Sequence, residues 1–229
     1  MMEIEELENK SAEEILSWSL EKFYPKVSLA SSFGAEDVVL IDMMSKIRND
    51  FRVFTLDTGR LPQETYDVMD QIRQKYNIKI EVLFPETLSV EKMVKEHGLN
   101  LFYQSIDSRK LCCGVRKVEP LNRMLSELNA WISGLRRDQT QTRTKIQKVE
   151  KDDDHGGIFK INPLADWSWE NVMNYVKDHN IPYNKLHDEG YPSIGCLPCT
   201  RAVKPGENPR AGRWWWELDK QKECGLHVG

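Results

Sequence analysis

Residues 27–47, VSLASSFGAEDVVLIDMMSKI, decide the fold. A short apolar run, a cluster of small hydroxyl residues with one glycine, and apolar positions at helical spacing predict strand, tight loop and helix in succession. Small residues between a strand end and a helix start let backbone N–H groups face an anion, and the helix N-terminus adds a favourable field there. The same composition also serves a plain βα turn, so the loop alone does not name a ligand.

Working outward, the rhythm repeats. FRVFTL at 51–56 predicts a second buried strand, and DTGRLPQET leads into a helix running to about Tyr76, with Pro62 near its first turn. IKIEVLF, beginning at Ile78, is the third strand, and AWISGLRRDQTQTR at 130–143 reads as a fourth, ending in a loop with three arginines and an acid. Strands alternating with helices of this length indicate βαβ units and a parallel sheet with helices on both faces. In such sheets ligands sit at the carboxyl ends of strands, which is where Ser31, Ser32, Gly34, Asp57, Thr58 and Gly59 are expected.

Other helices follow from local signals. Ser11 and Glu14 have capping-box spacing ahead of Ile15, Leu16, Trp18, Leu20 and Phe23, and Pro25 stops that helix. Further helices are expected over 89–97, within 111–128, and from about Ser168, where Trp169, Val172, Met173 and Val176 share an apolar face. KVEKDDDHGG at 148–157 reads as a polar loop or hairpin tip without apolar partners for its acids or for His155, and as a disordered stretch. From Leu186 the composition turns to Gly, Pro, Cys and Arg, and residues 191–217 lack the periodicity of a packed core. The expected division is therefore a nucleotide-binding α/β domain over 1–185, carrying the first cysteine pair, and an irregular C-terminal segment over 186–229 ordered by something other than apolar burial.

The chain of 229 residues is long enough to bury a core without disulfides. Its acidic start, MMEIEELENK, has neither the basic nor the apolar part of a secretory signal, and no run of 18 apolar residues follows, so a cytoplasmic protein with no membrane association is expected. A net charge of −4 argues against nucleic-acid binding. Locally, however, Arg109, Lys110, Arg116, Lys117, Arg136, Arg137, Arg143, Arg201, Lys204, Arg210 and Arg213 crowd the suspected site segments, which suits a small anion held in a cleft.

Of five cysteines, four fall into an adjacent pair, Cys112 and Cys113, and a CxxC, Cys196 and Cys199. In a reducing compartment such spacings favour ligands over disulfides. Four thiolates fit a tetrahedral zinc or a [4Fe-4S] cluster. Adjacent side chains diverge by about 100° on a helix, which is awkward around one ion and easier around a larger cluster; spacing alone leaves both open. The fifth, Cys224 in KECGLHVG at 222–229, stands apart in a polar segment beside Lys222, Glu223 and His227, as a reactive thiolate does.

Six separated motifs together, SSFGAED, TLDTG, the CC pair running into GVRKVEP, WISGLRRDQ, IGCLPCTR and ECGLH, resemble the assimilatory adenylyl-sulfate reductases, relatives of the phosphoadenylyl-sulfate reductases. The resemblance spans about 27–227. It implies a Rossmann-like adenine-nucleotide-hydrolase (PP-loop) sheet with an irregular C-terminal Fe-S lobe. It also implies one [4Fe-4S] cluster per chain on Cys112, Cys113, Cys196 and Cys199. By the same resemblance Ser31, Ser32 and Gly34 belong to the modified PP-loop, Leu56 and Gly134 flank the adenosine, and Lys117, Arg143, Arg210 and Arg213 meet the phosphosulfate. Cys224 is the implied nucleophile, with His227 beside it at the substrate.

The implied activity is thiol-dependent reduction of adenosine 5'-phosphosulfate to sulfite and AMP through an S-sulfocysteine on Cys224, resolved by thioredoxin or glutaredoxin, in a homo-oligomer. Phosphoadenylyl-specific relatives generally lack the cluster cysteines, although some cluster-bearing bacterial members accept both substrates. Two rivals stand beside this reading. PP-loop enzymes that adenylate or thiolate with ATP usually spell the loop SGGxDS, from which SSFGAED departs. A zinc-stabilised interaction module would leave Cys224 incidental.

Overall fold

A computed structural model describes residues 4–140 and 143–217. The expected nucleophile Cys224 and its neighbour His227 lie outside the described residues. Chain order begins with a single turn, α1 (Ile4–Leu7), and then α2 (Ala12–Phe23), whose capping box is present on both sides: Ser11 Oγ accepts the Glu14 N–H, and the Glu14 carboxylate accepts the Ser11 N–H. Next come β1 (Val27–Ala30), α3 (Ala35–Ile47), β2 (Val53–Leu56), α4 (Gln63–Tyr76), β3 (Ile80–Leu83) and α5 (Thr87–His97). These match the predicted alternation closely.

Beyond α5 lie α6 (Ile106–Cys113), a π-helical turn (Gly114–Val118) and α7 (Glu119–Leu125), which follow one another with helical backbone angles at the joints. The strands β4 (Ala130–Ile132), β5 (Val149–Asp152) and β6 (Ile158–Ile161) precede α8 (Trp169–Asp178), whose N-cap is Ser168 as expected.

The six strands form one sheet in the order β3-β2-β1-β4-β6-β5. Strand β1 pairs in parallel with both β2 and β4, and β4 pairs in parallel with β6, whereas β5 runs antiparallel on β6. The chain therefore moves one way from β1 through β2 to β3 and the other way from β1 to β4. That reversal is the topological switch point of an open α/β sheet, and the loops leaving β1 and β4 lie beside it.

Residues 148–157 bear out a hairpin tip, since Asp153–His155 lies between the antiparallel β5 and β6, and correct the expectation of disorder. Val149–Asp152 is a paired strand, and its end is packed. The buried Trp131 donates its Nε1–H to Asp152 at 2.8 Å, His155 Nδ1 shares the same carboxylate at 2.9 Å, and the imidazole stands edge-on to the indole. Alternating strand periodicity is weak over four residues, so the partners that order this segment are tertiary.

The described residues divide into two compact units, and not by the single cut expected at 185/186. The first takes 4–55, 63–81 and 127–185; the second takes 56–62, 82–126 and 186–217. Cys112 and Cys113 thus belong with the C-terminal segment. In the first unit, Val27, Leu29, Val53, Phe54, Ala130, Trp131 and Ile132 from the sheet meet Val38, Val39, Leu40 and Ile41 of α3 and Val172 and Val176 of α8, all buried. The second unit has a far smaller core: Met93, Leu101, Phe102, Cys112, Val115, Cys196, Cys199 and Trp214. Three of those eight are cysteines, so apolar burial alone is a thin basis for its order.

Candidate functional site

In the first unit the loop after β1 is held by its own side chains. The Ser31 N–H donates to the Phe54 carbonyl at 2.9 Å, and its hydroxyl oxygen accepts the Phe33 N–H at 3.1 Å. Phe33 is fully buried with φ at 57°, so the chain makes its sharp turn on a packed aromatic rather than on Gly34, whose φ is −71°. Both the N–H and the hydroxyl of Ser32 donate to Asp37 Oδ2, at 2.7 and 2.8 Å. Burial, reinforced by the negative charge of Glu36, pushes the Asp37 carboxyl up to about 7, against the pull of the Ser32 and Gly34 hydrogen bonds.

Gly134, from the loop after β4, lies against this turn. A Cβ there would stand 2.6 Å from Asp37 Oδ1 and 2.8 Å from Glu36 Cβ, so only glycine allows the approach. Glu36 in turn accepts from Arg136 Nε and Gln139 Nε2, each at 2.9 Å, and Arg143 donates to Gln139. Ser31, Ser32, Gly34, Gly134 and Arg143, chosen from sequence, are thus brought into one connected arrangement. Arg136 and Gln139, which support it, were not chosen; a buried arginine beside two acids is visible only once β4 is placed next to β1.

In the second unit, Cys112, Cys113, Cys196 and Cys199 line a single, partly open cavity. Helix α6 carries the first pair, started by Ser105, whose hydroxyl accepts the Ser108 N–H at 3.0 Å. The π-helical turn directly after them re-aims the next residues, including Lys117; such turns recur at functional sites because one extra residue shifts every side chain that follows. Cys196 and Cys199 flank a single 3₁₀ turn, Leu197–Cys199, which is held by the Leu197 N–H donating to the Arg60 carbonyl at 2.8 Å. Short antiparallel pairing of 199–201 with 212–214 brings Trp214 behind Cys199, and a Cβ on Gly212 would overlap the Arg201 carbonyl.

Five cations, Arg60, Arg109, Arg116, Lys117 and Arg213, line the cavity with the cysteines, together with Phe102, Pro198 and Trp214. Burial raises the thiol of Cys112, and burial together with the Cys196 charge pushes Cys199 up to about 12; Arg116 pulls the first down, and Lys117 and Arg213 the second. Buried thiols of this kind stay neutral unless a metal takes the proton's place. Among the described residues no three His, Cys, Asp or Glu side chains converge on a single metal-ion position. Four thiols lining one cavity are a donor set that suits a thiolate-bound metal centre. Among the described residues, two buried guanidinium atoms, Nε of Arg116 and of Arg213, have no hydrogen-bond partner.

Lys117 and Arg213, expected at the phosphosulfate, share the cysteine cavity. Arg210 does not line it; its N–H donates to Asn208 Oδ1 at 2.9 Å. Thr58, expected at the nucleotide crevice, instead places its hydroxyl 3.3 Å from Cys196 Sγ. Asp57 closes a local turn by accepting the Gly59 N–H at 2.7 Å. Leu56, at the end of β2, is half-buried.

Residues 26–202 match the family described as the phosphoadenosine phosphosulfate reductase domain. The chain belongs to this family. Its relatives include an adenosine 5'-phosphosulfate reductase of Burkholderia cepacia, 49% identical over 205 residues, which are 90% of this chain and 82% of that protein. Another of the same name from Allochromatium vinosum is 48% identical, covering 88% of this chain and 78% of the relative. Among solved structures, a phosphoadenylyl-sulfate reductase from Candida auris in a phosphate complex superposes with a TM-score of 0.74 at 30% identity, covering 87% of this chain and 96% of that one.

Family membership accounts for the sheet order and the two loops at its switch point. The cationic cysteine cavity is a property of this chain's own second unit. Arg109 and Arg116 were among the cations singled out from sequence, whereas Arg60 and Thr58 were not connected with the cysteines, because they lie more than 50 positions from the nearest one.

Proposed function

We propose that this protein reduces adenosine 5'-phosphosulfate to sulfite and AMP in sulfate assimilation. The observation that carries the reading is the cavity in which four cysteines face five cations, taken with relatives at 48–49% identity that bear the name of this activity. The residues fit a [4Fe-4S] cluster held by Cys112, Cys113, Cys196 and Cys199: the donor set is all thiol, the four line one cavity, and cations line it beside them. When bound, that cluster supplies a covalent clamp between α6 and the C-terminal segment and a fixed charge beside Lys117 and Arg213.

The chemistry rests on Cys224. Its thiolate attacks the sulfur of the substrate; an S–S bond forms, the S–O bond to the phosphate breaks, and AMP leaves with that electron pair. A dithiol protein such as thioredoxin then attacks the Cys224 sulfur, releasing sulfite, and its second thiol resolves the mixed disulfide, so two electrons pass from dithiol to product. An anion attacking an anion needs cations. Lys117, Arg143, Arg210 and Arg213 fill that role, with guanidinium groups orienting the phosphate. The Ser31–Gly34 turn and Gly134 receive the adenylyl part, with Leu56 against the adenosine and His227 beside the nucleophile. A cytoplasmic homo-oligomer completes the reading.

The test is anaerobic. Protein of full length is offered adenosine 5'-phosphosulfate, or its 3'-phosphorylated analogue, with reduced thioredoxin, and iron and sulfite are measured. About four irons per chain and sulfite from the unphosphorylated nucleotide are expected. Cys224→Ser should bind substrate and keep its iron yet make no sulfite; turnover by that variant overturns the assignment of the nucleophile.

A further inference from the structure

Glu8 directly follows α1, and the chain is fixed on both sides of it. Leu7 is fully buried, and the Lys10 N–H donates to the Leu7 carbonyl at 3.1 Å just ahead of the capping box of α2. From there the two oxygens of the Glu8 carboxylate take donors from separate places in the first unit. Oε1 accepts from Arg137 Nη2, and Oε2 accepts the Lys148 N–H at 3.0 Å. Arg137 also donates its Nε to the Ile146 carbonyl and its N–H to the Ala165 carbonyl, each at 2.9 Å. Lys148, whose side chain is 4% exposed, donates its Nζ to the Lys10 carbonyl and to Asp166 Oδ2, each at 2.7 Å. Residues 8–10 and 165–166 thus hold Arg137 and Lys148, on either flank of Gln139 and Arg143.

Those flanked residues belong to the arrangement built on the turn after β1. Arg136, beside Arg137, and Gln139 both donate to Glu36, and Arg143 donates to Gln139. Ile146 joins the two sides: its carbonyl accepts from Arg137 Nε, and its N–H donates to the Arg143 carbonyl at 3.2 Å. A continuous set of bonds therefore runs from Glu8 through Arg137 and Ile146 to Arg143. We infer that Glu8 is a positioning residue for Arg143, setting where that cation stands for the substrate phosphate, an inference that rests on the role proposed above for Arg143. The Glu8 and Arg137 side chains are 39% and 32% exposed, and ion pairs so open to water contribute little to stability. The effect is on place instead. One carboxylate that takes donors from two separated points draws both toward a fixed position, and a misplacement of about 1 Å at a group that handles substrate costs up to about a hundredfold.

The experiment compares wild type, Glu8→Ala, Glu8→Gln, Arg143→Ala and the double variant Glu8→Ala/Arg143→Ala, all full length and anaerobic. AMP affinity is read by titration, and KM and kcat for adenosine 5'-phosphosulfate from sulfite formation with reduced thioredoxin. Glu8→Ala should raise the Kd for AMP and the KM by about threefold or more, with kcat within about twofold of wild type. Its melting temperature should stay within about 4 °C of wild type. Glu8→Gln, which keeps one acceptor oxygen, should fall between the two. In the Arg143→Ala background the loss of Glu8 should change neither constant by more than about 1.5-fold, because the cation it places is gone. Unchanged Kd and KM in Glu8→Ala overturn the inference. So does an equal loss with and without Arg143, because Glu8 would then act on the fold and not through that cation. A wild type that binds AMP but makes no sulfite overturns the functional reading alone, and the AMP titrations still decide the inference.

Discussion

The backbone of Gly195 lies flat against the guanidinium of Arg213, so that a Cβ at Gly195 would stand 2.6 Å from Arg213 Cζ. Arg213 cannot simply swing away, because its Nη1 is bonded to Ser193 Oγ and the Ile194 carbonyl at 3.3 and 3.1 Å and its plane rests on Trp214. Gly195→Ala should therefore move the cation without touching a thiol. The expected outcome is an increase of about tenfold in KM for adenosine 5'-phosphosulfate, near 1.4 kcal/mol, with iron content kept. Loss of iron would place Arg213 in support of the cavity instead.

Gly134 makes the matching contact in the first unit, with Asp37 and Glu36 in the path of any side chain. Gly134→Ala should push the Ser31–Gly34 turn out of place and weaken adenine-nucleotide binding at least tenfold, read by AMP titration. The fold should survive with a loss of about 1–3 kcal/mol, the usual range for overpacking, measured by urea unfolding.

Asp37 gives a pH dependence with a definite sign. Its folded carboxyl titrates near 7 against an ordinary value of 3.8, because burial and Glu36 disfavour the charge. An acid raised on folding holds its proton in the native state while the unfolded chain has lost it. Its stabilising share is therefore complete below about pH 4 and lost as pH rises through about 7. Asp37→Asn, which stays neutral, should lack that loss. Urea midpoints at pH 5 and pH 8 should converge in the variant and diverge in wild type, by roughly 2.6 kcal/mol in stability. Equal divergence in both proteins would show that the carboxyl is not the titrating group.

The small core of the second unit makes it dependent on its cysteines. Cys112, Cys196 and Cys199 are three of the eight buried residues that form it, with Trp214 among the rest. Cys199→Ser should abolish iron binding and red-shift the emission of the tryptophans around Trp214. The parallel sheet, whose core is made from other residues, should keep its far-UV circular dichroism. A variant that retains four irons would remove Cys199 from the ligand set.

Away from the site, Asp42 of α3 accepts hydroxyl donors from Tyr76 of α4 and Tyr175 of α8, both at 2.9 Å, and pairs with Lys46 at 2.7 Å. Burial works against the Asp42 charge, but the bonds from Lys46 and the two tyrosines outweigh it and hold the carboxyl below its ordinary value. Asp42→Ala should cost on the order of 2–3 kcal/mol of stability, since it strands two phenols, while leaving AMP release per folded chain unchanged. A thermal melt and the AMP assay on one preparation check both halves.

The sequence by itself determined the alternation of strands and helices, the capping box at Ser11 and the helix start near Ser168, the loop of Ser31, Ser32 and Gly34, and the grouping of four cysteines apart from a fifth. Those features are written in short-range patterns: periodicity, cap spacing and neighbouring thiols act within a few residues of themselves. Which distant residues complete each site was settled only by tertiary structure. Pairing of β4 beside β1 sets Gly134 against Asp37, and packing of residues 56–62 onto the CxxC turn turns Thr58 toward Cys196. The strand at Val149–Asp152 and the divided domain boundary were likewise illegible, because Trp131 orders the one and the packing of α6 with the C-terminal segment defines the other. Contacts between residues 20 to 140 positions apart leave no local mark, since either partner alone reads as an ordinary polar or aromatic side chain.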